Sequence, residues 1–594
     1  MTGKIGYKKK YELDFISKLQ EKFWIQNVLF PTRARGNDNP HTLDLVISNE
    51  DIIDEIQNLS PLGKSDHSVL LISSSMQNII SKDQEKLNFK KGDYIGLCKA
   101  LDIDWGKTLE PFKDSIEDMW IEFKKIVNLN CVKYIPKTHD FDKWKKKEWK
   151  CPLPVEIRKL IKAKSHLWTR YVETKDENIF NKFKIIRNKV RNKTRMIIRA
   201  EQNEIAKSSK TNPKKFWNYV KSKTKSSSSI GDLKYKNTNG DECTAKTNID
   251  KSDAFCNYFS SVFTRENDDD FEKLECKQAN EMPDIVFTVE NIKLKLQNLN
   301  VNKSSGPDNI HPKILKEAND VLALPLKILF ETSFNQKMLP QDWRSANISA
   351  ILKKGSKLDV SNYRPVSLTC ICCKIMESVL RDEIFKCFIE NKLFSQAQFG
   401  FIKGRSTVLQ LLKVLDEWTE LLETGGQIDV IYTDFEKAFD KVPHKRLISK
   451  LKSYKLNQKI IDWIESFLLL RKQRVKINGV FSNWQDVLSG IPQGSILGPL
   501  LFIIYINNLV ENCKKGSKIY LYADDVKLFR HIGNNEDIEI LQKDLDSVKE
   551  WSDKWLLKLN ADKCKVVFYG KEIKATQFII LNVILINKNL KTSK

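Results

Sequence analysis

Long apolar segments and metal-binding cysteine patterns are both scarce in this sequence. No apolar run approaches the roughly 18 residues that a membrane span requires, and the polar, basic N-terminus lacks the apolar core of a secretion signal. The 12 cysteines are scattered. Their one cluster, TCICCK at Cys370, Cys372 and Cys373, has neither zinc-ligand spacing nor matching histidines. These absences predict a soluble intracellular protein with reduced thiols, in the nucleus, the cytoplasm or both, and without a membrane partner.

Positive charge is abundant and unevenly distributed. The 594 residues carry a net charge of +24, which favours a polyanionic partner such as nucleic acid. Between Lys137 and Lys225 there are 27 Lys and Arg residues against 9 Asp and Glu residues. This segment is predicted to be helical from Trp144 onwards, with one apolar face, and to bind nucleic acid. The alternative is a solvated helix pair whose charges only keep it soluble.

Other stretches predict a mixture of helices and strands. The N-terminal runs TLDLVIS (42–48) and SVLLISS (68–74) are typical of short strands. The serine-rich KTKSSSSIGD (223–232) predicts a linker. Beyond it, IDVIYTD (428–434) predicts a strand that leads directly into a helix.

Two motifs carry carboxylates at the ends of predicted strands. IYLYADDVKLF (519–529) predicts a strand, a tight turn and a strand, with Asp524 and Asp525 at the turn. In VIYTDFEKAFD, Asp434 ends a strand. If these strands are neighbours, the three carboxylates converge and suit Mg²⁺, and two such ions can catalyse phosphoryl transfer. Alternatively, Asp524 and Asp525 are exposed turn residues and Asp434 caps a helix.

Two further stretches are suited to binding a nucleotide. In SGIPQGSILGPLLF (489–502), glycines permit close backbone approach and Gln493 supplies an amide before an apolar helix. In LKKGSKLDVSNYRPVSL (352–368), Lys353, Lys354 and Arg364 suit a triphosphate. A basic loop of this kind can also simply be solvated.

The ordered motifs KKG...NYRPVSL, QFGF...GRST, YTDFEKAFDKV, GIPQGSILGPLLF, YADD and W...W...LNADKCKV closely resemble the reverse transcriptase of jockey-type non-LTR retrotransposons, from Val301 to about Gly570. The resemblance implies an α+β fold: a right-hand polymerase with fingers and palm, preceded by a partial α/β endonuclease segment and a basic helical linker. It implies an RNA-directed DNA polymerase that uses two Mg²⁺ ions, or Mn²⁺, with dNTPs, an RNA template and a DNA primer or target.

The resemblance also implies a role for individual residues. The metal ligands would be Asp434, Asp524, Asp525 and the Phe435 carbonyl. Phe439 would exclude the ribonucleotide 2'-hydroxyl. The other nucleotide contacts would be Lys353, Arg364, Gln493, Gly494 and Lys563, the last in a motif linked to protonation of pyrophosphate. Tyr522 would support the primer end, with Ala523 as its small neighbour.

The N-terminus resembles the last part of an apurinic-type endonuclease. FPTRARG...HTLDLVIS...GKSDHSVLLIS matches its hydrolytic site at Asp44, Asp66 and His67, although Asp66 and His67 could also form an ordinary surface pair. Because the earlier catalytic positions are missing, we expect no nicking activity. Because no helical thumb follows the last motif, primer grip is expected to be weak.

These implications divide the chain into five parts: 1–74, an endonuclease/exonuclease/phosphatase-like remnant; 75–230, a basic helical linker; 231–300, a connector; 301–575, the fingers and palm; 576–594, a short tail. Three alternatives remain. The chain could be a catalytically dead fragment that folds and binds nucleic acid, a maturase-like RNA-binding protein, or an RNA-dependent RNA polymerase, against which Phe439 argues.

Overall fold

The structure is a computed structural model of the whole chain. It describes residues 10–22, 24–33, 39–62, 65–74, 86–138, 153–211, 213–224, 230–236, 240–267, 274, 282–513, 516–571, 573, 578–580 and 583–585. Helices and strands alternate along these residues, so the predicted mixed α+β class is confirmed. Among them, no helix combines the length and the apolar character needed to cross a bilayer.

The helices of the described residues are α1 (Lys10–Glu21), α2 (Tyr94–Leu101), α3 (Trp105–Leu109), α4 (Ile116–Tyr134), α5 (Val155–Thr174), α6 (Glu177–Lys207), α7 (Pro213–Lys223), α8 (Asn248–Ser261), α9 (Val289–Gln297), α10 (Pro312–Glu317), α11 (Asn319–Gln336), α12 (Gln341–Arg344), α13 (Ile371–Glu390), α14 (Thr407–Glu423), α15 (Ala438–Lys441), α16 (His444–Ser453), α17 (Gln458–Leu468), α18 (Gly498–Ile506) and α19 (Asn535–Lys554). Short 3-10 helices cover Glu110–Phe112, Val360–Asn362 and Asn507–Asn512.

The strands are β1 (Ile25–Gln26), β2 (Ile47–Ser48), β3 (Ile53–Leu59), β4 (Val69–Ser74), β5 (Lys86–Leu87), β6 (Lys137–Thr138), β7 (Leu233–Lys236), β8 (Glu242–Ala245), β9 (Ser345–Leu352), β10 (Tyr363–Leu368), β11 (Gln427–Thr433), β12 (Lys472–Ile477), β13 (Val480–Phe481), β14 (Gln485–Asp486), β15 (Lys518–Tyr522), β16 (Asp525–Ile532), β17 (Lys565–Gly570), β18 (Phe578–Ile580) and β19 (Val583–Leu585).

The chain forms two compact units. The first comprises Met1–Lys86 and Lys137–Ser228. It contains the antiparallel pair β3–β4 and the helices α5 and α6, whose facing sides bury Trp168, Tyr171 and Phe183. The predicted helical basic segment is confirmed from Val155 onwards, whereas its beginning at Trp144 lies outside the described residues.

The second unit comprises Leu87–Pro136 and Ser229–Lys594. Its central element is a four-stranded antiparallel sheet with the order β15-β16-β11-β17. Both faces of β11 are covered: Ile431 packs into the main core of the unit, and Ile428 and Val430 pack with Trp418 of α14. This burial on both faces explains why apolar side chains at Ile428, Val430 and Ile431 point to both sides of β11.

A second sheet in the same unit has the order β10-β9-β12-β13, with β14 also paired to β12. β9 runs antiparallel to β10 and parallel to β12. Phe255 and Phe259 of α8 pack on this sheet. Arg364 lies in β10 opposite Ile351, so it is on the strand next to the loop that carries Lys353.

Two sequence expectations are wrong in detail. The predicted strand at 42–48 is reduced to β2, because the amides of Leu43 and Asp44 donate to the Thr32 hydroxyl instead of forming a strand ladder. The helix expected directly after Asp434 starts only at Ala438 and ends before Pro443. Residues 434–436 instead remain extended: the amide of Glu436 donates to the carbonyl of Lys558.

Candidate active site

Asp524 and Asp525 lie at the predicted hairpin turn, which is confirmed. Pairing of β15 with β16 ends at Tyr522 and Asp525, so Ala523 and Asp524 form a two-residue turn. Ala523 adopts the left-handed conformation, with φ of 57°, which a hairpin of this length usually assigns to Gly or Asn. Asp524 is therefore held at the tip of the turn, and Asp525 begins β16.

Asp434 is brought to the same end of the sheet. It directly follows β11, whose last residue, Thr433, lies opposite Val526 of β16. The Asp434 carbonyl accepts a hydrogen bond of 2.7 Å from the amide of Asn560. Its carboxylate forms an ion pair with Lys563, with 2.7 Å between Oδ2 and Nζ. The LNADK motif therefore fixes both the backbone and the side chain of Asp434.

The charges at this end of the sheet act on one another. Burial raises the pKa of Asp524, the negative charge of Asp434 raises it further, and Lys353 and Arg364 partly offset the rise. Partial burial followed by repulsion from Asp524 and Asp434 also raises the pKa of Asp525. Three mutually repelling carboxylates beside basic side chains form an electrostatic environment in which a cation is favoured.

A cavity of about 600 Å³ opens beside these carboxylates. Of the residues implied by the resemblance, its lining includes Lys353, Arg364, Asp434, Phe435, Phe439, Gln493, Gly494, Asp524 and Lys563. Asp525, Tyr522 and Ala523 lie along the turn outside this lining. Basic groups and carboxylates in one cavity are the combination that a nucleoside triphosphate and its metal ions require.

The residues present fit a hard dication in their chemistry. Carboxylate oxygens are the ligands that Mg²⁺ prefers. The pKa values of Asp524 and Asp525 are raised first by burial and then by repulsion between the carboxylates, and a dication would relieve that repulsion. Within the part of the chain that the structure describes, however, no three His, Cys, Asp or Glu side chains are close enough to hold one ion. Asp434 is paired with Lys563 instead, so binding an ion requires this side chain to be shared or released.

The aromatic wall of the cavity is rigidly packed. Phe439 stacks on Phe502 of α18, with ring centroids 4.4 Å apart, and meets the edge of Phe401 at 6.3 Å. Gln493 donates from Nε2 to Oδ1 of Asp440 at 2.8 Å. Gly494 has φ of 126°, and a Cβ there would lie 2.6 Å from the Ser367 carbonyl oxygen, so this glycine is needed where its loop meets β10.

Two charged residues of this cavity, Lys437 and Asp440, were not predicted as site residues. Asp440 orients the Gln493 amide, as described above. Lys437, in the left-handed conformation with φ of 46°, donates to the hydroxyl of Tyr258 at 2.7 Å and lies over its ring. Lys437 and Asp440 both belong to the quoted FEKAFD stretch, but Tyr258 comes from α8 far along the chain, so no local pattern indicates the pair.

The three N-terminal residues lie in the first unit. His67 Nδ1 is 2.9 Å from Oδ2 of Asp44, and Arg33 pairs with Asp66 at 2.9 Å. His67 therefore pairs with Asp44 rather than with its neighbour Asp66, and this pair is itself partly exposed. The hydrogen bond from His67 lowers the pKa of Asp44, and that from Arg33 lowers the pKa of Asp66.

Comparison with known proteins gives a consistent result. Residues 351–585 match the family described as reverse transcriptase (RNA-dependent DNA polymerase). The chain is 28% identical to the RNA-directed DNA polymerase from mobile element jockey of Drosophila melanogaster, covering 58% of this chain and 39% of that protein. It is 31% identical to the jockey polymerase of Drosophila funebris, covering 51% of this chain and 34% of that protein.

A third relative is the probable RNA-directed DNA polymerase from transposon BS of Drosophila melanogaster, which is 27% identical over 54% of this chain and 37% of its own length. The chain thus spans well under half the length of these curated relatives. The resemblance inferred from the ordered motifs is confirmed: the chain carries a reverse transcriptase domain over residues 351–585 and is related to the RNA-directed DNA polymerases of jockey and other non-LTR retrotransposons.

Proposed function

We propose that this chain is the RNA-directed DNA polymerase of a jockey-type non-LTR retrotransposon, which extends a DNA 3'-hydroxyl on an RNA template with dNTPs. The observation that carries the proposal is one cavity whose lining includes both the carboxylates Asp434 and Asp524 and the basic residues Lys353 and Arg364. This arrangement brings triphosphate-binding cations and carboxylates to the same cavity, as phosphoryl transfer requires.

We assign the four-stranded sheet to the palm and the sheet containing β9 and β10 to the fingers. The palm assignment is supported by the position of the carboxylates at the end of β11 and at the β15–β16 turn. The fingers assignment is supported by the basic residues of β10 and its preceding loop, which line the same cavity as Asp434 and Asp524. The Asp44–His67 pair supports an endonuclease-like remnant in the first unit.

In this function, Asp434, Asp524 and Asp525 hold the metal ions, with the Phe435 carbonyl as a further ligand. When bound there, two Mg²⁺ ions, or Mn²⁺, would activate the primer 3'-hydroxyl and neutralise charge on the departing pyrophosphate. Lys353 and Arg364 bind the triphosphate and orient its α-phosphate for in-line attack.

The remaining contacts select and position the substrates. The ring of Phe439, held by Phe502, fills the space that a 2'-hydroxyl would need. The Gln493 amide, oriented by Asp440, contacts the incoming nucleotide next to Gly494. Tyr522 supports the primer end beside Ala523. Lys563, released from Asp434, is placed to donate a proton to pyrophosphate.

We also propose that α6 holds RNA. Between Asn178 and Ala200 it carries eight Lys and Arg residues and no Asp or Glu, along a helix about 46 Å long. The exposed basic residues of this stretch are Lys182, Lys189, Arg191, Arg195 and Arg199. Such a surface binds phosphates, and its affinity falls steeply with salt concentration. Binding that stays constant between low and moderate salt would contradict this assignment.

The polymerase is tested by extension of oligo(dT) on poly(rA) with Mg²⁺ and dTTP, comparing the wild type with Asp524→Asn/Asp525→Asn. Extension by the wild type alone supports the proposal. If neither protein extends the primer while salt-sensitive RNA binding is retained, the chain is a folded, catalytically dead fragment that binds nucleic acid. If Asp524→Asn/Asp525→Asn is as active as the wild type, the assignment of these carboxylates is wrong.

A further inference from the structure

We propose that Gln398 is a positioning residue of this site, which fixes the turn carrying Asp524 by binding both main-chain polar groups of Ala523. The inference rests on the proposed polymerase function for its kinetic consequence, but its structural basis is independent of it. Gln398 belongs to the QFGF stretch, 125 residues before Ala523 in the chain, and its side chain is completely buried.

The contacts of the Gln398 amide converge on the turn. Its Oε1 accepts hydrogen bonds from the amide of Ala523 at 2.9 Å and from the amide of Gly400 at 2.7 Å. Its Nε2 donates to the Ala523 carbonyl at 3.4 Å. Because the β15–β16 ladder ends at Tyr522 and Asp525, Gln398 gives Ala523 the partners that the ladder does not.

The segment that carries Gln398 is itself fixed to β15. The amide of Leu521 donates to the Ala397 carbonyl at 2.9 Å, and the amide of Phe399 donates to the Leu521 carbonyl at 2.8 Å. The guanidinium of Arg405 also donates to the main-chain carbonyl of Gln398 at 2.5 Å. Gln398 is therefore held as an additional short strand along β15, at a fixed distance from the turn.

This arrangement controls the position of a carboxylate. Ala523 is in the left-handed conformation, which is unfavourable for a residue with a Cβ, and Asp524 follows it directly. Without the Gln398 amide, three buried main-chain groups, both of Ala523 and the amide of Gly400, lose this partner, and rotation of the peptide between Ala523 and Asp524 becomes less costly. Such a rotation displaces the Asp524 carboxylate, while Lys353 and Arg364 on the other sheet keep their positions.

The test compares Gln398→Leu, which removes the hydrogen bonds at similar volume, with Gln410→Leu as a control. Gln410 is similarly buried, at 6% exposure, and its side chain makes no described hydrogen bond to the turn. In the poly(rA) assay we expect Gln398→Leu to lower kcat about 100-fold, as a displacement near 1 Å does. We expect KM for dTTP to stay within about twofold, because the triphosphate contacts are untouched.

A second readout does not depend on activity. Binding of Mn²⁺ is measured by electron paramagnetic resonance for the wild type, Gln398→Leu and Asp524→Asn. We expect Gln398→Leu to weaken Mn²⁺ binding about tenfold, in the direction of Asp524→Asn. We expect it to unfold at a lower temperature than Gln410→Leu, because buried main-chain groups lose a partner, but to remain folded at the assay temperature. Inactivity of the wild type would overturn the proposed function, whereas the Mn²⁺ measurement would still decide the role of Gln398.

The result that overturns the inference is a folded Gln398→Leu protein with unchanged kcat and Mn²⁺ affinity. A loss equalled by Gln410→Leu overturns it too, because it would then reflect general destabilisation. Should Gln398→Leu fail to fold, Gln398→Asn decides: it keeps the amide but withdraws it by one methylene. Reduced Mn²⁺ affinity at an unchanged unfolding midpoint supports the inference, and unchanged affinity overturns it.

Discussion

Replacing Gly400 with alanine is expected to displace the carboxylate turn by a definite distance. An ideal Cβ at Gly400 would lie 2.4 Å from the amide nitrogen of Ala523 and 3.0 Å from its Cα. Since Cβ atoms essentially never approach a heavy atom closer than 3.0 Å, the two segments must separate by at least the difference, 0.6 Å. The nearest atoms are the backbone N and Cα of Ala523 and its Cβ, which cannot rotate away as a flexible side chain can.

The size of the effect follows from this separation. Overpacking of this kind typically costs about 1–3 kcal/mol of stability. A displacement approaching 1 Å at a catalytic carboxylate lowers the rate about 100-fold. We therefore expect Gly400→Ala to fold, to unfold at a modestly lower temperature and to lose most of its primer extension, while its RNA binding is retained.

Gly404→Ala is the matched control. Gly404 has φ of 84°, but a Cβ there would meet nothing within 4 Å. The substitution therefore costs about 1 kcal/mol of backbone strain without touching the turn. Thermal unfolding and extension of oligo(dT) on poly(rA) are measured for both variants. Equal activity at similar stability in the two variants would refute the steric argument.

Three further outcomes are expected. Phe439→Ala should admit ribonucleotides, measured as rUTP incorporation on poly(rA), whereas Phe439→Tyr should not; incorporation that stays limited to dTTP in Phe439→Ala would show that the ring is not the filter. Lys563→Met should slow extension at least tenfold with little change in RNA binding; an unchanged rate would exclude a role in the chemical step. Burial raises the pKa of Asp440 from 3.8 to about 6, so its contribution to stability is greatest below pH 3.8 and is lost as the pH rises through 6. Asp440→Asn, which still accepts from Gln493, should then stabilise the protein by about 2–3 kcal/mol at pH 7.5 and little at pH 3.5, measured by denaturant unfolding; equal effects at both pH values would contradict the assignment.

Local sequence patterns were sufficient to predict the secondary-structure elements that carry the three aspartates. The hairpin around Asp524 and the strand before Asp434 were predicted because alternating or continuous apolar residues end at a carboxylate in both cases. The predicted start of the helix after Asp434 lies several residues before its actual start at Ala438, and the reason is physical. Phe435, Ala438, Phe439 and Val442 have a helical apolar spacing. The backbone of residues 434–436 nevertheless pairs with residues 558–560, and that tertiary contact outweighs local propensity.

The supporting contacts of the site depend on residues that are distant in the chain. Lys563 reaches Asp434 across 129 residues, Tyr258 reaches Lys437 across 179, and Gln398 reaches Ala523 across 125. Periodicity indicates which face of an element is buried, but it carries no information on which distant backbone group a buried amide will bind. The ordered sequence motifs include QFGF, but they assign no role to its Gln. The positioning role proposed for Gln398 follows only from the place of this segment beside β15. The same contact explains why the motif has a glycine at position 400. A side chain there would collide with Ala523, the turn residue that Gln398 binds.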